Sequence, residues 1–399
     1  MIPAMKHPRW YASLAFALSI GAALSPAHAR STFLDPNSAT GTSAAVVVDP
    51  APLAHTAQFL PVDEQGGIVA KGDVRAQTER VLARLDAALR KADSSLADAV
   101  KLNICVARSA LTAEVTGVLA RRFAGEAKPA VTIVAGALAH PDALVSIDAV
   151  AVSRSRSDSA TPRHIVGTKR RFSAVTILPP TGVLYVAGLA DKSDLAEATK
   201  VTLGKIVTAA EFVGLKRRDI VQLKAFLQPM TKVDVVERAV AEFFAGETVP
   251  AIVYVDWIST GVPIEIEAIV AAPADKADRS VTYHSPPGMP GSPVYSRLAR
   301  IHSGARIYVS GLYGTSAASA DVKDIFGQLD ALLARAGSDR THLAKATYYY
   351  SAAESNSRLD AFRPSYFDRA TPPAASKARV PEVGLPGKGI TIDLIGAAK

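Results

Sequence analysis

The chain has 399 residues, 49% of them hydrophobic and 21% charged, with a formal net charge of +8 and one cysteine. That length exceeds one ordinary core and argues for two or three globular domains, while the composition excludes a disordered or fibrous chain. The lone Cys105 excludes an intrachain disulfide and a cysteine-cluster metal site, and inside the apolar run 102–106 it reads as a small buried hydrophobe.

Residues 1–29 carry the pattern of an export signal. Lys6 and Arg9 form a basic head, 11–24 is an uncharged apolar core, and Pro26 precedes Ala27-His28-Ala29, a small-x-small cleavage site. The apolar run is shorter than the roughly 20 residues of a comfortable membrane span. Cleavage after Ala29 is expected, leaving a protein outside the cytoplasm, periplasmic or secreted, with no membrane attachment. Loss of Lys6 and Arg9 leaves a surplus of about +6, which fits solubility better than nucleic-acid binding.

Residues 30–43, rich in Ser, Thr, Asn and Pro, read as a flexible leader. A first unit, 44–152, then opens with strands at 44–48 and near 56–60. A helix is expected over 73–91, where Val74, Thr78, Val81, Leu82, Leu85 and Leu89 form one apolar stripe and Asp73 suits the N-cap. A strand at 99–107, a helix at 111–123 and strands at 128–134 and 144–152 complete it. Residues 153–165 read as a solvated linker. Its Arg154, Arg156 and Arg163, continuing into Lys169-Arg170-Arg171, lack the interleaved aromatics of a nucleic-acid patch.

The second unit, 166–272, repeats this order. Strands at 171–178 and 183–188 look like a hairpin across Pro179-Pro180-Thr181-Gly182. A helix at 193–213, a strand at 220–227, a helix at 233–244 and strands at 251–258 and 263–271 follow. Residues 273–292 form a second linker, rich in Pro and Gly. The third unit, 293–399, has strands at 294–301 and 306–311, a helix at 318–336, a strand at 345–351, a helix at 358–367 interrupted by Pro364, and a closing strand at 389–396. Each unit thus carries amphipathic helices that need one face of a sheet, an α+β sandwich.

The closing strands betray the repeat. Ile264-Glu265-Ile266-Glu267-Ala268-Ile269-Val270 has weaker copies in Val145-Ser146-Ile147-Asp148-Ala149-Val150 and Ile390-Thr391-Ile392-Asp393-Leu394-Ile395. Their spacings of about 119 and about 126 residues indicate tandem copies of one domain.

With Tyr185-Val186-Ala187-Gly188, Phe243-Phe244 and Val249-Pro250-Ala251 in the second copy, the order becomes specific. The third copy has Ile307-Tyr308-Val309-Ser310-Gly311-Leu312, Lys345-Ala346-Thr347-Tyr348 and Pro373-Ala374. The chain resembles the Rid family, the reactive-intermediate deaminases once labelled endoribonuclease L-PSP proteins. The resemblance spans nearly all of the expected mature chain in three units. It implies chorismate-mutase-like α+β sandwiches, here a trimer written in one polypeptide, with ligand clefts at unit boundaries and no cofactor. Small-molecule ligands are its implied partners, and the pseudo-trimer is expected to be monomeric.

In imine-hydrolysing members an arginine after a Pro-Ala step grips the substrate carboxylate, and a closing-strand glutamate helps place the attacking water. By that resemblance Val131 and Ile252 stand at the arginine position of the first two copies. In the third, Pro373-Ala374 would put Ala375 there, whereas alignment from Leu385-Pro386 puts Lys377 there, and the second alignment is preferred. The glutamate position reads Ser146, Glu265 and Thr391. Glu265 and Lys377 are therefore the candidate catalytic residues, and Lys377, Arg379, Tyr313 and Ser310 the candidate ligand contacts. No metal site is expected, because the histidines show no helical pairing, and neither a GxSxG elbow nor a phosphate loop occurs.

The expected function is binding of a small anionic metabolite in inter-repeat clefts. The alternatives are a 2-imino acid deaminase, a hydrolase using Lys377 in place of arginine, and a non-catalytic interaction module. Bland readings stand beside these: Glu265 and Glu267 as the polar face of a strand, Lys377 as a solvated loop residue, and Tyr348-Tyr349-Tyr350 as strand formers.

Overall fold

The computed structural model describes Met1 and residues 30–155, 159–168, 171–259, 261–275, 277–315 and 322–399. The expected export signal after Met1, the start of the helix expected from residue 318, and Arg156, Lys169 and Arg170 lie outside the described residues.

The first unit contains β1 (Ser31–Leu34), β2 (Ala45–Val48), β3 (Leu53–Thr56), α1 (Val74–Arg90), β4 (Ala99–Val106), α2 (Thr112–Arg122), β5 (Ala130–Ala135) and β6 (Val145–Val152). The second contains β7 (Arg163–Val166), β8 (Ser173–Leu178), β9 (Gly182–Ala190), α3 (Leu195–Phe212), β10 (Ile220–Leu227), α4 (Val233–Phe243), β11 (Ala251–Asp256) and β12 (Ile264–Ala272). The third contains β13 (Val281–His284), β14 (Leu298–Ile301), β15 (Arg306–Val309), α5 (Val322–Arg335), β16 (Leu343–Tyr350), α6 (Ala353–Tyr366), β17 (Ala374–Arg379), β18 (Glu382–Val383) and β19 (Ile390–Ala397).

Local chemistry explains the helices. Along α1 the stripe read from the sequence is buried, and the Asp73 carboxylate accepts the Arg75 and Ala76 N–H groups, satisfying donors the first turn leaves free. Asp194 does the same for α3. α6 begins earlier than expected and runs through Pro364 to Tyr366. Buried Leu359, Arg363 and Tyr366 hold it despite the missing donor, the Tyr366 ring 4.3 Å from that of Phe326 on α5 and Arg363 over the ring of Tyr348 on β16.

Three sheets form, each built around one unit. Their central strands run β5-β4-β6-β3, β11-β10-β12-β9 and β17-β16-β19-β15, with the first pair of each parallel and the rest antiparallel. Each sheet is then extended by the opening strands of another unit. β8 and β7 add to β3, β14 and β13 add to β9, and β2 and β1 add to β15. The second unit thus lends strands to the first, the third to the second, and the first to the third. The exchange closes a ring.

This arrangement corrects several expectations. β8 and β9 are not a hairpin: they lie in different sheets, because Pro179 and Pro180 offer no N–H to carry a ladder into the turn. The leader 30–43 and the linkers 153–165 and 273–292 contain β1, the start of β7, and β13, each paired in a neighbour's sheet. Arg154 and Arg163 are matched by Asp98 and Asp93, so part of the basic linker is neutralised where it lies.

The helices cover the outer face of each sheet over a separate apolar core. The inner faces meet around the pseudo-threefold axis, where two apolar layers form. One includes Val100, Val221, Ala344, Tyr185 and Tyr308, and the other Cys105, Phe226 and Tyr349. Polar side chains from all three units are held between them.

Candidate functional site

Strand register fixes which residues correspond. Lys101, Gln222 and Lys345 pair with Ala130, Ala251 and Ala374 across the parallel strands. Cys105, Phe226 and Tyr349 pair with Ser146, Glu265 and Thr391, and Asn103, Lys224 and Thr347 with Asp148, Glu267 and Asp393. His55, Tyr185 and Tyr308 correspond through Val150, Ile269 and Ile395, which makes Gln58, Gly188 and Gly311 equivalent three positions further on.

The axial layer is the most heavily charged buried region. Lys101 donates to Asp393 at 2.7 Å, and to Thr132 Oγ1 and the Val309 carbonyl. Lys345 lies 2.7 Å from Glu267, which also accepts from Ser376 Oγ at 2.8 Å. Where the third lysine would stand, Gln222 donates instead to the Thr56 carbonyl at 2.8 Å. Burial alone would raise the pKa of Glu267 and of Asp393, but the neighbouring lysines outweigh it and hold both below the usual range. Among the described residues Asp148 has only the amide of Asn103, at 2.8 Å, as a side-chain donor, and burial pushes it up to about 6 against the pull of Lys224. His55, buried beside Arg306, falls to about 3 and is neutral. His55, Lys101, Gln222, Glu267, Lys345 and Asp393 border a cavity of about 30 Å³, room for a water or two. Among the described residues no group of three His, Cys, Asp or Glu is placed to hold a metal ion.

Glu265 faces outward from this layer, at the boundary of the second and third units. Its partner strand β9 carries a bulge here, so that Ala187 and Gly188 both stand opposite Glu267. The carboxylate occupies the space over Gly188, where a Cβ would sit 1.9 Å from Oε1. The Gly188 N–H donates to Ser376 Oγ at 3.0 Å. Arg297, from the segment leading into β14, donates to the Gly188 carbonyl at 3.4 Å and stacks over Tyr295. Burial first, then the charge of Glu267, pushes Glu265 up to about 7, while Arg297 and Ser376 pull it down. A partly exposed carboxyl that titrates near neutrality beside a guanidinium and a hydroxyl can accept a proton or hold a polar ligand.

The other predicted residues are placed elsewhere. Register puts Ala375, not Lys377, level with Val131 and Ile252, which corrects the preferred alignment. Lys377 and Ser376 alternate along β17, so Ser376 enters the Glu265 cleft while Lys377 bonds Asp360 of α6 at 2.8 Å and lies over Tyr350. The side chain of Arg379 is exposed, and its carbonyl accepts from the Ile258 N–H. Ser310 and Tyr313 belong to the boundary of the third and first units: Ser310 Oγ accepts from Val131 N–H and donates to the Ser43 carbonyl, and the Tyr313 hydroxyl donates to the Ile133 carbonyl at 3.4 Å. Glu265 and Lys377 do not share a cleft. Sequence reasoning missed Arg297, whose signal was weak, and the axial lysines, whose signal was plain: a lysine inside each apolar strand.

The fold and these boundaries define a class, α+β sandwiches closed into a threefold pseudo-symmetric ring with clefts between units. The endoribonuclease L-PSP profile matches residues 35–153 and 166–272, more than half of the chain, so the chain belongs to that family, which includes the Rid proteins. It is 34% identical over 92 residues to a RutC family protein of Pyrococcus abyssi, covering 23% of this chain and 72% of that one. A RutC family protein of Pyrococcus horikoshii is 35% identical with the same coverage. Among solved structures, a conserved Rid-family protein of unknown function from Yersinia pestis is 29% identical, covering 31% of this chain and 98% of that chain with a TM-score of 0.29. The third unit lies beyond the matched residues, and its strand register repeats that of the other two.

Proposed function

We propose that the chain binds a small anionic metabolite in the cleft between its second and third units. The observation that carries this reading is Glu265 set over Gly188 at a bulge, facing Ser376 and within the field of Arg297 from the next unit. Arg297 supplies the positive charge for a carboxylate, and its planar fork suits two-point binding. Calorimetric titration with a short 2-oxo acid should give binding that Arg297→Ala removes. If a panel of small acids produced neither heat nor thermal stabilisation, the reading would fail, and an interaction role for the pseudo-trimer surface would replace it.

A second reading, hydrolysis of 2-imino acids, is favoured by the position of Glu265 near neutrality. Water would add to the C=N carbon with Glu265 taking a proton, and the nitrogen would leave as ammonia, giving the 2-oxo acid. Ammonia release from freshly generated 2-imino acids, abolished by Glu265→Gln, would support it. A rate equal to the spontaneous one would exclude it.

Export completes the proposal, resting on the basic head, apolar core and Ala27-His28-Ala29 of the sequence. Sequencing of the mature N-terminus should begin at Arg30, and an intact Met1 would overturn it.

A further inference from the structure

We infer that the chain takes one ligand, not three, because its own side chains close two of the three pseudo-equivalent clefts. The inference rests on the ligand-binding reading above. At the boundary of the second and third units the position opposite the closing strand is Gly188, and the space above it is taken by two polar groups, the Glu265 carboxylate and Ser376 Oγ.

At the boundary of the first and second units the equivalent position is Gln58. Its Nε2 donates to the Tyr254 carbonyl at 2.9 Å and touches Cys105 Sγ at 3.6 Å. Its Oε1 accepts the Tyr254 N–H at 3.4 Å, so the amide pairs with both backbone groups of β11 as another strand would. The room a ligand would use is filled, and the groups it would bond are already bonded. Ser146, fully buried, stands where Glu265 stands in the open cleft.

At the boundary of the third and first units a glycine remains, Gly311, but Thr391 and Thr132 stand over it and Tyr313 packs beside Thr391. Its hydroxyl lies against Thr391, the Ile133 carbonyl and Gly384. β18 adds across the same edge, pairing Val383 with Val134, while the Thr112 hydroxyl donates to the Gly384 carbonyl. This loop of the third unit covers the first-unit strand that an open cleft would expose.

Two closures of different chemistry, one amide and one phenol with a covering strand, leave a single cleft with an acid and a cation. A carboxylate-bearing ligand should therefore bind at one site per chain. The sole cysteine supplies a readout independent of any ligand, because Cys105 lies directly beneath Gln58.

The experiment combines thiol modification by iodoacetamide with calorimetry on the full chain. Wild-type Cys105 should react no faster than the protein unfolds. Gln58→Gly, and Gln58→Ala as a milder change, should accelerate it at least tenfold with the fold retained by circular dichroism. Rapid wild-type modification, or no acceleration in either variant, overturns the closure. Titration with a short 2-oxo acid should give about one site per chain, and two or three sites overturn the inference. If no acid binds at all, the binding reading fails, and Cys105 reactivity alone decides whether the cleft is sealed.

Discussion

The ammonium of Lys101, in the first unit, lies 2.7 Å from the carboxylate of Asp393, in the third. Both groups are almost fully buried, at 3% and 8% exposure. The pair joins the two ends of the ring, at the seam where β2 crosses into the third unit's sheet. Lys101→Met should leave Asp393 buried without its hydrogen-bonded cation and destabilise the chain by about 3–5 kcal/mol. Urea unfolding at neutral pH measures this. Adding Asp393→Leu should recover most of the loss, because the desolvation cost disappears with the second charge.

The two classes of carboxylate set opposite pH dependences. Asp148, raised from 3.8 to about 6, and Glu265, raised from 4.5 to about 7, bind protons more readily folded than unfolded. Their contribution is complete below their unfolded values and is lost as pH rises through 6 and 7. Glu267 and Asp393 are lowered, so theirs is present above the unfolded values and is lost as pH falls. Asp148→Asn should flatten the decline in melting temperature between about pH 4 and 6 without changing the acid limb below it. An unchanged decline would mean that Asp148 is ionised as readily folded as unfolded.

Lys377 and Arg297 should separate cleanly in binding. Lys377 is tied to Asp360 on the helix side, so Lys377→Ala should change affinity for a small acid less than about twofold and stability by no more than about 1 kcal/mol. Arg297→Ala should weaken binding at least tenfold, about 1.4 kcal/mol. Equal effects of the two would move the site to the face of α6.

Gly188→Ala probes the same cleft sterically. The added methyl would meet the Glu265 carboxylate and Ser376 Oγ, so it must displace at least one of them. A loss of affinity is expected with a stability cost of about 1–3 kcal/mol. Gly204→Ala, where a Cβ meets nothing, serves as the control and should leave affinity unchanged.

Much of the architecture was legible in the sequence because it is local. The α1 stripe, the Asp73 cap and the alternation of Glu265 with Ile264 and Ile266 each follow from helical or strand period. Repetition of the closing strand disclosed the units, and the register confirms Ser146, Glu265 and Thr391 as equivalents. What stayed hidden depends on partners far along the chain. The apolar run 45–48 reads the same whether the strand pairs with its own unit or with β15, so the exchange left no trace. Lys377 and Ser376 were separable only once β17 had a direction relative to α6. Gln58 looked like an ordinary polar residue after a strand, because its role as a closure exists only against Tyr254.

The strand exchange also dictates an order of assembly. β2 precedes its ladder partner β15 by more than 250 residues, pairing Val46 with Tyr308 and Val48 with Arg306. During synthesis the opening strands of the first unit emerge with only each other as partners, whereas β8 can dock on β3 once the second unit begins. Closure of the ring therefore falls to the last unit made, and until then β2 presents an unsatisfied edge. Contacts so distant in sequence form slowly, and an open edge of this kind can accept the β15 of a neighbouring chain instead. Concentrated refolding should thus yield linked rings, dimers in which each chain completes the other's seam, while dilute refolding yields the closed monomer.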